Sequence, residues 1–235
     1  MQCPLPSEDV ERIVMAHGGG GRMSQRLIES VFLSLFANDL IEERHDGTVS
    51  RIGNTDLAFS TDSYVVHPLI FPGGTIGDLA VNGTVNDLAM CGAQPLYLSC
   101  GFILEEGLLV ETLRRIADDM RVAAERSGVI LVTGDTKVVD RGKADGLFVN
   151  TSGVGIARKR VGPALIESGD AIIVSGDLGS HGITISVVAR RARIRFADTK
   201  RYSAVMGAGG RASQCTNRYP LHAGSDPWRT HQRSE

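Results

Sequence analysis

The stretch FPGGTIGDLAVNGTVNDLAMCGAQPLYL, Phe71–Leu98, decides the fold. Its opening Pro-Gly-Gly predicts a loop. The residues that follow predict a helix over Thr75–Met90 that ends at Gly92. Beyond that glycine, Leu96–Leu104 alternates between apolar and polar residues in the manner of a strand. A strand that follows a helix so closely indicates a layered structure of helices and strands.

The same stretch contains a local repeat. Gly74–Ala80, GTIGDLA, recurs nine residues later as Gly83–Ala89, GTVNDLA. At 3.6 residues per turn, nine residues rotate by about 900°, which is a net half-turn. We therefore expect Asp78 and Asp87 to lie on opposite faces of the helix, so that only one of them reaches a ligand on a given face.

Helices and strands continue to alternate on both sides of this stretch. Apolar spacing predicts, in chain order, a helix over 23–40, strands over Val49–Ile52 and Asp56–Val66, a helix over Leu108–Ser127 with Gly128 as its C-cap, and strands over Val129–Val139 and Leu147–Ala157. A new unit begins near residues 166–170 with a short buried strand over Ala171–Val174, a glycine turn and a helix-like stretch to Arg190. We divide the chain into an N-terminal segment (1–40), a first domain (41–160), the start of a second domain (161–207) and a tail without hydrophobic periodicity (208–235).

Composition excludes several classes of protein. A formal net charge of −2 argues against a whole-chain attraction to nucleic acid or to an anionic membrane. The four cysteines form no C-x-x-C pair, so we expect neither a disulfide framework nor a structural zinc site, and Cys91 and Cys100 are read as buried small hydrophobes. The sequence shows no signal peptide and no apolar run of about 18 residues, which predicts a cytoplasmic protein.

Glycine makes up 28 of 235 residues, about 12% against a usual value of about 7%, and one cluster precedes a predicted helix. The run HGGGGRMS begins at His17. Its backbone amides and the helix N-terminus can form an anion-binding nest, to which an arginine adds a charged donor. A flexible linker is the alternative. The candidate phosphate-binding residues are Gly18, Gly19, Gly20, Gly21 and Arg22.

Acidic residues at the ends of three predicted elements indicate a magnesium–nucleotide site. They lie in Thr61-Asp62-Ser63, Val85-Asn86-Asp87 and Gly134-Asp135-Thr136-Lys137. Carboxylates together with phosphate oxygens are the ligands that Mg²⁺ prefers, and a lysine can neutralise phosphate. Each acidic residue taken alone is also compatible with a helix cap or a turn. In the glycine turn SGDLGSHG, Asp177 and His181 are further candidates. His181 could be a general acid/base or a hydrogen-bond donor to phosphate, and an ordinary strand-to-helix turn is the alternative.

These motifs together resemble one known family. AHGGGGRM at residues 16–23, TDSYVVHP at 61–68, the whole of Phe71–Leu98, GDTKVV at 134–139 and SGDLGSHG at 175–182 are similar to HypE proteins, which mature [NiFe] hydrogenases. The similarity extends over about residues 12–191. HypE belongs to a superfamily of ATP-dependent enzymes that includes aminoimidazole ribonucleotide synthetase (PurM) and selenophosphate synthetase.

The resemblance implies a two-domain, PurM-like α/β (α+β) fold that dimerises through its first domain. It implies an ATP-dependent carbamoyl dehydratase, which converts a carbamoyl group on a C-terminal cysteine into thiocyanate and passes cyanide to iron. Its implied partners are the carbamoyltransferase HypF and the HypC–HypD iron scaffold. Asp62, Asp87 and Asp135 match the acidic positions that would hold Mg²⁺ and ATP, and the loop Gly18–Arg22 would close over the phosphates. Ser63, Asn86, Gly134, Thr136 and Lys137 complete the implied nucleotide site.

The sequence departs from the family toward its end. It finishes in THQRSE, without the cysteine that carries the carbamoyl group, and the second domain is incomplete. We therefore expect this chain alone not to complete the reaction. Two alternatives remain open: another enzyme of the superfamily, such as selenophosphate synthetase, and a non-catalytic fragment that retains only dimerisation. Against the synthetase, the only early cysteine, Cys3, has no lysine beside it.

The tail can also be explained by a shifted reading frame. Codons chosen for His222–His231, HAGSDPWRTH, read as MRDPTRGGL when the first base is dropped. That reading contains a DPTRGG segment of the family's second domain. Some codon bases were chosen freely, but the single Trp228 codon, with that of Arg229, forces one of the glycines. We expect resequencing to reveal a single-base insertion or deletion upstream of His222, and an unshifted gene would refute this hypothesis.

Overall fold

The structure is a computed structural model that describes residues 12–173, and these residues belong to two units. The first unit comprises residues 12–42 and the second comprises residues 43–173 within the described range. The predictions for Asp177, His181, the helix-like stretch to Arg190 and the tail lie outside the described residues. Within residues 12–173, no helix is both long enough and apolar enough to span a membrane.

The first unit is built around one helical run. A single 3₁₀ turn, Met15–Gly18, precedes α1 (Arg22–Leu27), a π-helical turn (Ile28–Leu33) and α2 (Ser34–Phe36). The predicted helix over 23–40 is therefore four residues too long at its C-terminal end. The reason is Asn38, whose side-chain oxygen accepts the amides of Leu40 and Ile41 and so offers the backbone a turn instead of another helical step.

The second unit contains a five-stranded sheet in the order β1-β2-β7-β5-β6. Its strands are β1 (Thr48–Ile52), β2 (Thr55–Tyr64), β5 (Ala93–Glu105), β6 (Ile130–Val139) and β7 (Leu147–Ala157). Only β5 and β6 pair in parallel, and the other neighbours are antiparallel. A separate two-stranded ladder joins β3 (Ile70–Phe71) to β4 (Gly74–Thr75) at the start of the fold-determining stretch.

Two helices cover one face of this sheet. They are α3 (Ile76–Met90) and α4 (Val110–Ser127), and Gly128 ends α4 in the left-handed conformation that its predicted C-cap role requires. The core between helices and sheet includes Ile76, Val81, Val85, Leu98, Ile116, Met120 and Val149. Cys91 and Cys100 are buried, as predicted, and neither forms a disulfide bond among the described residues. Burial raises the pKa of the Cys100 thiol to about 12.

The opposite face of the sheet carries no helix among the described residues. Its exposed apolar side chains include Phe59, Tyr97, Ile103 and Ile156. β6, at one edge, is exposed along nearly its whole length. We call this surface the open face.

The predicted strand over Ala171–Val174 is wrong for residues 171–173, which the structure describes. Ala171, Ile172 and Ile173 form no strand, and Ile172 is 90% exposed. An apolar run becomes a strand only when another strand satisfies its backbone groups, and none of the described strands lies alongside it.

Candidate functional site

Asp62 and Asp87 approach each other on the helix-covered side of the sheet. Asp62 on β2 pairs with Thr151 on β7, and Thr151 pairs with Cys100 on β5. Cys100 belongs to the core, so all three side chains lie on the inner face of the sheet. Asp87, near the C-terminal end of α3, accepts a hydrogen bond from the Ser60 hydroxyl at 2.8 Å. Because Ser60 and Asp62 are two residues apart on one face of β2, the two carboxylates lie in the same region.

Tyr64 stands at the centre of this region. Its hydroxyl donates to Asp62 Oδ2 at 3.1 Å. Burial raises the pKa of Tyr64 most strongly, and the negative charges of Asp62 and, more weakly, Asp87 raise it further. The phenol therefore stays protonated and acts as a hydrogen-bond donor to the carboxylate.

Asp135 and Lys137 lie on the other side of the sheet. Their partners in the parallel register are Gly101 and Ile103, which belong to the open face. Lys137 Nζ lies 3.4 Å from Asp135 Oδ2, and both side chains are about 70% exposed. Because both side chains are exposed, they are accessible to a ligand, and an exposed ion pair of this kind adds little to stability.

The structure does not bring the three predicted aspartates together within one chain. Asp62 on β2 and Asp135 on β6 are separated by three strand spacings, about 14 Å, and lie on opposite faces. In the described part of the chain, no group of three or more histidine, cysteine or acidic side chains could hold a metal ion. Asp62 and Asp87 do fit Mg²⁺, since this ion is usually held by one or two carboxylates together with substrate phosphates.

The remaining strand and helix candidates divide between the two faces. Ser63 lies on the open face and accepts a hydrogen bond from Asn150 Nδ2 at 3.1 Å. Asn86 precedes Asp87 on α3 and is partly buried. Gly134 lies so close to β5 that a Cβ atom there would approach the Cys100 carbonyl oxygen to 2.4 Å, and Thr136 pairs with Phe102.

Asp78 has different surroundings from Asp87, as the half-turn argument predicts for one continuous helix. Asp78 belongs to the first turn of α3, where it accepts a hydrogen bond from Asn82 Nδ2 at 3.0 Å. It also lies against Gly74, where a Cβ atom would come within 2.5 Å of the carboxylate. This aspartate therefore serves the N-terminal end of the helix, about nine residues and 13 Å along the axis from Asp87.

The predicted phosphate loop lies in the first unit. The amide of Gly19 donates to Ala16 O at 3.2 Å, and the amide of Gly20 donates to Ser24 Oγ at 2.7 Å. Two amides of the run therefore already have acceptors in this conformation. A phosphate role for the whole run Gly18–Arg22 stays a prediction.

Sequence reasoning missed two residues that organise the site. Tyr64 supports Asp62 from the inner face, and Asn150 Nδ2 binds Asp62 O at 2.9 Å from the next strand. The tyrosine could have been found, because residues i and i+2 of a strand share a face and it follows Asp62 by two. Asn150 gave no such signal, since its contact depends on the pairing of β2 with β7.

Comparisons with known proteins show which families this chain is similar to. Residues 44–157 match the AIR synthase related protein family, N-terminal domain. The chain is 47% identical over 187 residues to the carbamoyl dehydratase HypE of Rhizobium leguminosarum bv. viciae. This alignment covers 79% of the present chain and 53% of that relative. The chain thus spans about half the length of the curated relatives it matches.

Two solved structures show the same similarity. The crystal structure of a HypE–HypF complex superposes with a TM-score of 0.75 at 38% identity, over 80% of this chain and 61% of that one. HypE in complex with ATP superposes with a TM-score of 0.55 at 43% identity, over 82% and 58%. Residues 44–157 therefore match the AIR synthase related family, and the chain resembles the HypE proteins over about half their length.

Proposed function

We propose that this chain supplies the ATP-binding half of a HypE-type carbamoyl dehydratase, a maturation factor for [NiFe] hydrogenase. The observation that carries the proposal is the approach of Asp62 and Asp87 around Tyr64, in a chain 47% identical to a carbamoyl dehydratase. A HypE protein solved in complex with ATP supports the choice of nucleotide.

In this proposal each charged group has one task. Asp62 and Asp87 would hold Mg²⁺, which would supply positive charge to neutralise the phosphates of ATP. Lys137 faces away from them on the open face, so it would act at the boundary with a second copy of the chain, where it can neutralise phosphate charge. The exposed apolar side chains of that face support a homodimer.

The chemistry needs a phosphorylated oxygen as the leaving group. ATP would phosphorylate the carbamoyl oxygen of a carbamoylated cysteine with release of ADP and one amide proton, and loss of phosphate together with the second proton would leave a thiocyanate. Positioning and charge neutralisation of the transferred phosphoryl group provide most of the catalysis in such steps. We propose the partners from the family: HypF donates the carbamoyl group, and the HypC–HypD scaffold accepts the cyanide. The cysteine that carries the carbamoyl group is proposed from the full-length members of the family.

Nucleotide binding by the purified chain tests the proposal. We expect ATP to bind only when Mg²⁺ is present, as measured by isothermal titration calorimetry, and we expect Asp87→Asn to abolish that binding. Asp78→Asn is the matched control, because Asp78 lies on the same helix with its own partner Asn82. No Mg²⁺-dependent binding by a folded wild-type chain, or equal losses in both variants, would contradict the proposal.

A second candidate function is a dimerising fragment without nucleotide chemistry. The extended open face with its exposed apolar residues favours this alternative independently of the carboxylates. It predicts a stable dimer that binds no ATP, so the same titration, combined with sedimentation, separates the two functions.

A further inference from the structure

We propose that Tyr64 is a positioning residue of the cation site and that Gly83 is the helix position that admits it. This inference rests on the proposed function, because it concerns how Asp62 is presented to Mg²⁺. The tyrosine itself would touch neither the ion nor the nucleotide. It would act through the carboxylate to which it donates.

The first observation that supports the proposal is the hydrogen bond that Tyr64 donates to Asp62. Tyr64 follows Asp62 by two residues on β2, so both side chains lie on the face that α3 covers. The tyrosine hydroxyl lies 3.1 Å from Asp62 Oδ2. A donor on one carboxylate oxygen fixes the torsion of the side chain and leaves the second oxygen in a defined direction.

The second step is the close fit of the hydroxyl beneath α3. A Cβ atom at Gly83 would lie 2.0 Å from Tyr64 Oη and 2.9 Å from its Cζ. No side chain fits at position 83 while the tyrosine keeps this place. A glycine inside a helix costs about 1 kcal/mol relative to alanine, so its presence in the middle of α3 has a reason in this contact.

The third step is the anchoring of the surrounding polar groups. Thr84, the next residue on α3, is fully buried, and its hydroxyl lies 2.6 Å from that of Thr151. Thr151 also donates to Ala80 O at 3.0 Å. Because these bonds tie α3 to β7, the helix cannot move away from Tyr64 without breaking them, and the hydroxyl is held against Asp62.

The experiment compares Tyr64→Phe with Tyr97→Phe in the full chain. Tyr97 lies on the open face and is 45% exposed, so its hydroxyl serves as the matched control. ATP binding is measured by calorimetry as a function of Mg²⁺ concentration, and thermal unfolding is followed in parallel. We expect Tyr64→Phe to raise the Mg²⁺ concentration needed for half-maximal binding by about 10-fold, with binding restored at saturating Mg²⁺.

A purely structural role for Tyr64 would change the unfolding temperature without moving the Mg²⁺ dependence, and that result would overturn the proposal. The same Mg²⁺ shift in Tyr97→Phe would also overturn it. Absence of any Mg²⁺-dependent binding in the wild type would refute the proposed function and this inference together. A wild type that binds with an unshifted Tyr64→Phe variant would refute the positioning role alone.

A double-mutant cycle tests the fit at Gly83 without any nucleotide. We expect Gly83→Ala to destabilise the chain more when Tyr64 is present than in the Tyr64→Phe background, because the missing hydroxyl removes the shortest overlap. Unfolding in urea gives the free energy of unfolding of the wild type, of the two single variants and of the double variant. Additive effects of the two substitutions would show that Gly83 and Tyr64 are not coupled.

Discussion

The Glu105 carboxylate shows how one side chain organises a loop at the end of the sheet. Glu105 Oε1 accepts the amide of Gly142 at 2.6 Å, and Oε2 accepts the amide of Gly146 at 2.9 Å. The hydrogen bond from the Gly142 amide is the main cause that lowers the pKa of Glu105 below its ordinary value of 4.5, and the bond from the Gly146 amide is the second. The charged carboxylate thus closes the loop between β6, which bears Lys137, and β7.

We predict that this loop opens in acid. A lowered pKa means that the stabilisation is complete above about pH 4.5 and is lost as the pH falls through the lower pKa of the folded state. Hydrogen exchange at the Gly142 and Gly146 amides, corrected for the intrinsic pH dependence, should therefore accelerate in that acidic range. Glu105→Gln should exchange rapidly at every pH, and Glu106→Gln is the control. Slow exchange in Glu105→Gln would contradict the prediction.

At the scale of elements, the contact between α3 and α4 depends on the absence of a side chain at Gly77. A Cβ atom there would lie 2.5 Å from Ile116 O and 2.6 Å from Met120 Cγ, both on α4. The first of these neighbours is backbone, which cannot move aside without shifting the helix. The spacing of the two helices, and with it the position of α3 over the sheet, is therefore set at this glycine.

We expect Gly77→Ala to lower the free energy of unfolding by about 1–3 kcal/mol, the usual cost of adding atoms to a packed core. Urea denaturation measures this loss. Gly101→Ala is the matched control, because the nearest atoms to a Cβ there lie at an ordinary 3.9 Å. Equal stabilities of the two variants would show that α3 and α4 can separate without cost.

At the scale of the whole second unit, the sheet has one covered and one open face. The open face combines exposed apolar residues with a hydroxyl row, in which Thr61 Oγ1 lies 2.8 Å from Ser152 Oγ and Ser99 is the next residue across the register. At its edge, β6 presents backbone groups along an exposed strand. Such a surface is typical of one that is covered by another protein surface.

We predict that the chain forms a homodimer through this face. Ile103→Asp, which places a charge among the apolar residues of the open face, should yield a monomer in sedimentation equilibrium at micromolar concentration. Val110→Asp is the control, because Val110 is 70% exposed at the start of α4, away from the open face. A monomeric wild type, or a dimer unaffected by Ile103→Asp, would reject the prediction.

The sequence alone predicted the elements of the second unit well. The predicted α3 and β7 agree with the structure to within one residue, and α4 begins two residues later than predicted and ends at the predicted Gly128. These predictions succeeded because apolar periodicity and glycine caps act over a few neighbouring residues. The half-turn between Asp78 and Asp87 followed for the same reason, since helical geometry is local.

Only the tertiary structure decided which of the predicted site residues meet. β7 inserts between β2 and β5, and β6 occupies the far edge, so Asp62 and Asp135 fall on opposite faces although each directly precedes a Ser or Thr in its motif. Strand order depends on pairings between residues as much as 99 positions apart, as for Leu57 and Ile156, and no local pattern encodes them. The contact of Tyr64 with Gly83 arises in the same way, because it exists only where α3 packs on β2.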